Sequence, residues 1–413
     1  MKKCAKILLL SAKNKIFVSQ IIKLRKMIKN ITEKIVYIGV DDTDIDLFES
    51  QYVVPDGVSY NSYLILEEKV AVMDTVDLRK ADEWLENLNT ALAGRKPDYL
   101  VVCHLEPDHA GTIARVMELY PEMQIVASEK AVKMLPNFFY DTTFDGRTIG
   151  VKEGDTLSLG GRTLHFVMAP MVHWPEVMVS YDSTDKVLFS ADGFGKFGAL
   201  SRGGEWACEA RRYYFNICVK YGAPVQALLR KAATLDIAAI CPTHGPVLTE
   251  NLGYYIGLYD KWSKYEPETE GVLVAYASIH GNTAKVARKF AEILEAKGAE
   301  KVVVADLSRC DMAEAVEDAF RYSRLVVAAA SYDNDVFPPM HDFLHHLAIK
   351  NFSKRRIGII ENGSWAPSAG KAMRKIIDTF KDVTVAENMV TVVSTLKPTD
   401  IPALERLADE VLA

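Results

Sequence analysis

The chain has few cysteines for its length. Its 413 residues contain six, at positions 4, 103, 208, 218, 241 and 310, and no two of them stand as C-x-x-C. That spacing excludes a rubredoxin-like iron site or a zinc ribbon within the chain. Cys103 and Cys241 sit among apolar neighbours and read as small buried hydrophobes in a reducing cytoplasm, where disulfides do not persist. There is also no excess of basic charge, with 49 Lys and Arg against 55 Asp and Glu and a formal net charge of -6. A nucleic-acid binder would carry a basic face, so that class is excluded. No apolar run approaches the length needed to cross a bilayer, which excludes stable membrane insertion. Apolar side chains, by contrast, are plentiful. At 49% hydrophobic content, 413 residues can build two or three domains with large cores.

Charge is unevenly placed. Lys2, Lys3, Lys6, Lys13, Lys15, Lys23, Arg25, Lys26 and Lys29 all precede the first acidic residue, Glu33. Residues 1–29 read as a basic N-terminal extension outside the fold, or as translation assigned too far upstream, with Met27 able to serve as a start. A basic, weakly amphipathic helix touching a membrane surface is the competing reading. The run Ile7–Leu10 is short for a signal-peptide core.

The richest stretch is Cys103-His-Leu-Glu-Pro-Asp-His-Ala-Gly-Thr112. His104, Glu106, Asp108 and His109 place four metal-capable side chains within six residues. Mixed imidazole and carboxylate donors suit iron, manganese or zinc rather than a soft thiolate site. A dinuclear zinc hydrolase of the metallo-β-lactamase type normally has His at the second position. Glu106 adds a hard, negatively charged oxygen there and favours redox-active iron. Three further donors stand where a strand-like run gives way to a loop. His173 follows Leu164–Met168, Asp192 follows Val187–Ala191, and His244 follows Ala238–Thr243. Strand ends are where side chains from distant segments converge. His165 lies inside a strand pattern and reads as structural or supporting.

The ordered set H-x-E-x-D-H, His, Asp, His resembles that of the flavodiiron proteins (A-type flavoproteins), from about Ile31 to the C-terminus. The resemblance implies that one iron takes His104, Glu106 and His173. It implies that the other takes Asp108, His109 and His244, with Asp192 bridging the two. In some members the histidine at the position of His109 turns away from the metal.

Short apolar runs at Ile35–Val40, Ser62–Leu66, Val70–Asp74 and Tyr99–Cys103 read as strands, with a helix from Lys80 to Leu92, and strand runs return between Thr163 and Ala191. Periodicity alone says mixed α/β. The resemblance implies a metallo-β-lactamase-like αβ/βα four-layer sandwich over residues 30–265. The charged, proline-bearing stretch Tyr265–Glu270 reads as a linker. Beyond it, residues 271–413 alternate regularly. Strands are predicted at Val272–Tyr276, Val302–Ala305, Leu325–Ala330, Ile357–Ile360 and Val390–Val393. Helices are predicted at Asn282–Ala296, Met312–Tyr322, Met340–Ala348, Ser368–Phe380 and Ile401–Leu412. Five β–α units of this size indicate a flavodoxin-like doubly wound parallel sheet.

Three loops follow strands in this second domain. In Ser278-Ile279-His280-Gly281-Asn282-Thr283, small and hydroxyl residues suit a phosphate at a helix N-terminus. A plain helix cap explains Asn282 and Thr283 equally well. The second loop runs from Ser331 through Tyr332, Asp333 and Asn334 to Pro339, and the third is Asn362-Gly363-Ser364-Trp365-Ala-Pro-Ser368. Trp365, and less strongly Tyr332, can cover a flat ring, or either can be packed in a core. Together the loops resemble those of flavodoxin and imply bound FMN. The phosphate loop departs from the commonest T-x-T-G-N-T form at Ser278 and His280. His280 either contacts the phosphate or faces solvent.

The resemblance thus implies a cytoplasmic oxidoreductase with FMN and two iron ions, reducing O2 to water and/or NO to N2O. It further implies a separate rubredoxin or similar electron donor and a head-to-tail homodimer. Trp174, next to a ligand, either lines the substrate pocket and takes part in catalysis or belongs to the core. Two rivals are a dinuclear zinc hydrolase fused to a flavodoxin-like electron-transfer module, and a plain electron carrier with a degenerate metal site.

Overall fold

The computed structural model describes residues 29–413. The basic extension therefore lies outside the described residues except for Lys29, which pairs with Tyr37. The chain forms two compact units. One comprises the residues up to Ala210 with Arg230–Leu252, the other Arg211–Leu229 with Gly253–Ala413.

The first unit holds two main sheets. The larger orders its strands Lys29–Asn30, Ile35–Tyr37, Tyr63–Leu66, Val70–Met73, Tyr99–Val102, Gln124–Ser128 and Thr148–Val151. It begins antiparallel and becomes parallel from Val70–Met73 onward. The second sheet runs Thr156–Ser158, Thr163–Met168, Met178–Asp182, Val187–Phe189 and Ala239–Cys241. Leu64, Ile65, Val72, Val101 and Ile125 are completely buried. The sheets meet through side chains such as Tyr63, whose ring lies 5.5 Å from that of Phe189 and whose hydroxyl donates to the Pro242 carbonyl at 2.7 Å. With helices flanking the sheets, this is the αβ/βα sandwich.

The predicted strand Ile35–Val40 is broken. Ile35–Tyr37 stays in the large sheet, while Val40–Asp42 pairs with Val58–Tyr60 in a separate ribbon. The reason is Gly39, where a Cβ would sit 2.5 Å from the Tyr60 carbonyl oxygen. The backbone crosses too closely there for a continuous pleat. The predicted helix from Lys80 begins at Ala81, because Asp77 caps a short 3-10 turn at Leu78–Lys80.

In the second unit the sheet order is Val302–Asp306, Thr269–Ala277, Tyr322–Tyr332, Arg356–Asn362, with Thr384–Val385 and Val390–Val392 both pairing the last. All these pairings are parallel. Numbered within the unit, the order is 2-1-3-4-5, the flavodoxin-like winding. One core layer joins Val274, Phe290, Ala328, Ile360, Leu404 and Leu407. Helices Asn282–Ala296 and Ile401–Leu412 occupy the spans that their apolar periodicity predicts.

Arg211–Leu229 joins this unit through a buried charge cluster. Arg211 donates to both carboxylate oxygens of Glu268 and to Glu317, each at 2.7 Å. Removing one member of such a buried set strands the others without partners. Arg211→Ala is therefore expected to lower stability by about 3–5 kcal/mol. Chemical denaturation checks this, and a loss below about 0.5 kcal/mol would mean the cluster is solvated. Among the described residues, no helix is long and apolar enough to cross a membrane.

Candidate metal centre and ring-binding cleft

Strand Tyr99–Val102 ends at Cys103, whose N–H donates to Asp74 Oδ1 at 2.7 Å. This anchors the turn that follows. His104 and Glu106 lie on the turn, and Pro107 opens a short helix carrying Asp108 and His109. His173, Asp192 and His244 reach the same place from the ends of three strands of the other sheet. The loop of His244 is held by Asn61, whose side-chain amide donates to the carbonyls of Pro242 and Gly245. Gly245 has a positive φ of 78°, and a Cβ there would meet Lys196 Cγ at 2.7 Å.

All seven predicted donors are brought together in two adjoining groups. One contains His104, Glu106, His173 and Asp192, the other Asp108, His109 and His244, and the donor atoms in each group lie within 4.8 Å of one another. Glu106 Oε2 is 3.2 Å from His104 Nε2 and 3.0 Å from His173 Nε2. Asp108 Oδ2 is 3.3 Å from His109 Nε2 and 3.1 Å from His244 Nε2. Asp192 faces both groups. Its Oδ2 lies 3.2 Å from His173 Nε2 and 3.5 Å from His104 Nε2, and its Oδ1 lies 3.0 Å from His109 Nε2 and 3.9 Å from His244 Nε2.

Outer contacts orient these rings. Glu176 accepts from the backbone N–H of Leu105 and lies 2.8 Å from His104 Nδ1. The Ser59 carbonyl lies 2.7 Å from His244 Nδ1. Thr243 Oγ1 donates to Asp192 Oδ1 at 2.6 Å. Carboxylate or carbonyl partners on the far nitrogen aim the other nitrogen at a metal and raise its basicity. Sequence reasoning missed all three. Only Glu176 left a signal, three residues after His173.

The electrostatics describe a site built for cations. Burial opposes the charge on Asp192, yet His109, His173 and His104 hold its carboxyl well below the usual carboxylate range. Burial likewise opposes Glu106, and His104 and His173 hold it low. Burial opposes protonation of His109 and His173, but the facing carboxylates lift each to about 9. Metal ions entering here would displace those protons. Both oxygens of Asp108, both ring nitrogens of His109 and Oδ2 of Asp192 are buried without a hydrogen bond. Buried polar atoms are rarely left so. Three carboxylates and four imidazoles, aimed at two points, fit a pair of hard or borderline divalent ions.

A pocket of about 190 Å³ opens onto Glu106 and Asp108 and is walled by Ile45, Phe48, Glu49, Tyr60 and Asp77. Phe48 sets its edge toward His244 at 5.5 Å between centroids. Trp174 is half-buried, edge-on to His104 at 5.2 Å and stacked on Phe138 at 6.1 Å. His165 pairs with Ser183 at 3.2 Å and belongs to neither donor group.

In the second unit, the three predicted loops line one cleft of about 500 Å³. Ser278, Ile279, His280, Asn282, Thr283, Ser331, Tyr332, Asp333, Asn334, Asn362, Gly363, Ser364 and Trp365 all face it. Gly281 does not; it caps the following helix at φ 87°, and its N–H donates to Ser278 Oγ. Ala366 and Ser368, within the third predicted loop, also line the cleft, as do Ala330 and Ser394, which were not foreseen. Ser394 is brought in from beyond the last strand, its carbonyl accepting from the Asn362 amide. Trp365 is 92% exposed, a large apolar ring with one face ready for a flat ligand. Trp365→Ala is expected to weaken FMN binding by about 1–3 kcal/mol, the scale of one lost stacking surface. Fluorescence titration measures it, and unchanged affinity would remove Trp365 from the site.

The chain matches two family models, ODP family beta lactamase over residues 58–245 and Flavodoxin over residues 274–399. A nitric oxide reductase of Moorella thermoacetica is 30% identical over 376 residues, 88% of this chain and 92% of that protein. The solved structure of rubredoxin oxygen:oxidoreductase from Desulfovibrio gigas superposes with a TM-score of 0.86 at 25% identity, covering 93% of this chain and 97% of the other. The flavodiiron protein of Giardia intestinalis shares the fold at a TM-score of 0.85 and 23% identity, covering 93% and 96%.

Proposed function

This chain belongs to the flavodiiron proteins, and we propose on that premise that it is an oxidoreductase reducing O2 to water and/or NO to N2O. We assign His104, Glu106 and His173 to one iron, Asp108, His109 and His244 to the other, and Asp192 to the bridge. FMN occupies the cleft walled by the loops after Ala277, Ala330 and Asn362. When bound, the flavin supplies electrons one or two at a time and the iron pair supplies the site where a diatomic oxidant is reduced. The residues of the chain do the rest. Glu176 and the Ser59 carbonyl fix ring orientation, Phe48 and Tyr60 narrow the approach to a small neutral molecule, and Trp174 shields the His104 side from water.

The observation that carries the reading is the carboxylate of Asp192, which turns one oxygen to each donor group. A dinuclear zinc hydrolase is disfavoured because Glu106, rather than an imidazole, stands between His104 and His173. We take the electron donor to be rubredoxin or a similar small protein in the cytoplasm. We also assign the chain to a head-to-tail homodimer. Exposed apolar side chains support it, with Ile279, Tyr332 and Trp365 at the cleft of one unit and Leu47, Val53 and Leu78 on the other.

The test is anaerobic loading with iron, reduction by rubredoxin, and separate O2 and NO turnover. Consumption of either gas with about two irons per chain supports the reading. Full zinc occupancy with hydrolase activity and no redox turnover overturns it.

A further inference from the structure

The pocket that opens onto the metal centre carries charge of one sign. Glu49, Asp77, Glu106 and Asp108 line it, and none of its lining residues is lysine, arginine or histidine. Glu106 and Asp108 are assigned as metal ligands, but Glu49 and Asp77 are not. The four carboxylates lead inward. Glu49 is exposed, Asp77 and Glu106 are half-buried, and Asp108 is buried. At the inner end Asp108 is only 8% exposed, and neither of its carboxylate oxygens has a hydrogen bond. Arg79 and Lys80, just after Asp77, turn instead to Asp42, each at 3.4 Å. Glu49 stands in the turn joining Leu47–Phe48 to Tyr52–Val53, where Glu49 and Ser50 hold φ of 49° and 58°. Turns of this kind favour Gly and Asn, and a non-glycine residue held there costs about 1–3 kcal/mol. The chain thus keeps a carboxylate at a position where glycine would be less strained.

O2 and NO are neutral, so a negative mouth does nothing to attract them. It does attract cations, because a cleft lined by one sign of charge concentrates ions of the other. We propose that Glu49 and Asp77 form the entry site for divalent metal ions, capturing them at the mouth of this pocket and passing them inward to Glu106 and Asp108. The inference rests on the metal assignment made above and deepens it. His104, His109 and Asp192 are completely buried and His244 nearly so, so an ion has to reach them through an opening such as this one. Two mouth carboxylates are hard oxygen donors that suit a hydrated divalent ion. The inner groups offer four and three donors, imidazoles among them, and hold the ion more tightly. Transfer from mouth to centre is therefore downhill.

The experiment mixes the full chain, stripped of metal, with Co2+, a divalent probe with similar donor preferences whose visible bands report its arrival in the site. Burial and the neighbouring Glu106 push the Glu49 carboxyl up to about 7. Loading is therefore followed at about pH 8.5, where such a group is ionised. At low ionic strength E49Q should load about fivefold more slowly than the unmodified protein and E49Q/D77N about twentyfold, within the roughly 10- to 1000-fold that a cleft of one charge sign adds to ion entry. Asparagine at position 77 keeps an acceptor for the Arg79 N–H, and glutamine at position 49 keeps one for the Gln51 amide. If D77N does not fold, E49K replaces the double variant and should load more slowly than E49Q. All forms should finish with about two Co2+ per chain. In about 1 M salt, where the screening length is about 3 Å, their rates should converge. Equal rates at low salt would overturn the proposal. So would a rate difference that survives high salt, or a lower final metal content in the variants, which would make Glu49 or Asp77 a ligand of the centre itself. Failure of the unmodified chain to bind Co2+ would overturn the metal assignment as well.

Discussion

Replacing Asp192 by alanine is expected to strip this protein of most of its iron and all of its O2 and NO turnover. Asp192 is completely buried, and its two oxygens face different donor groups, at 3.2 Å from His173 and 3.0 Å from His109. No other side chain in the cluster spans both groups in this way. Losing it removes a ligand from each metal and one of three negative charges that offset two divalent ions. Loss of even an outer partner costs 10- to 100-fold in metal affinity, so loss of a shared direct ligand should exceed about a hundredfold. The remaining imidazoles, crowded together without that carboxylate, would also repel one another when protonated. Metal analysis after anaerobic loading checks the first part and gas consumption with reduced rubredoxin the second. An Asp192→Ala protein that retained about two irons per chain and normal turnover would sink the bridging assignment.

His244→Ala should abolish turnover while sparing the flavin. His244 is buried, aimed by the Ser59 carbonyl at 2.7 Å and set 3.1 Å from Asp108 Oδ2. It belongs to the first compact unit, and the cleft assigned to FMN is lined wholly by residues of the second. Gas reduction should fall by more than about a hundredfold, as for loss of a metal ligand. Flavin content and the rate of flavin reduction by the donor should not change. Stopped-flow absorbance of the flavin and an oxygen or nitric oxide electrode separate the two effects. If the variant reduced both gases at the full rate, the chemistry would have to occur at the flavin, and the metal assignment would fall.

The amino-acid sequence by itself determined the kinds of chemistry available and most of the second unit. His104, Glu106, Asp108 and His109 are legible because four donors crowd one strand end. His173, Asp192 and His244 are legible because each follows an apolar run. Helix Asn282–Ala296 and its neighbours are legible because a doubly wound sheet repeats local units, each with its own period and stop. The resemblance already implied how the donors divide, but tertiary structure alone decided which groups support them. Glu176 stands 72 residues from His104, and Ser59 stands 185 residues from His244. A backbone carbonyl has no sequence signature, and a lone glutamate has a weak one, so such contacts exist only once two sheets bring the segments together. The same holds for Gly39, where a crossing chain ends a run that reads as one strand. It holds also for Arg211, whose partners Glu268 and Glu317 draw its helix segment toward the second unit. Short-range periodicity and donor type are properties of neighbouring residues, whereas ring orientation, shared carboxylates and buried charge sets depend on distances between residues far apart in the chain.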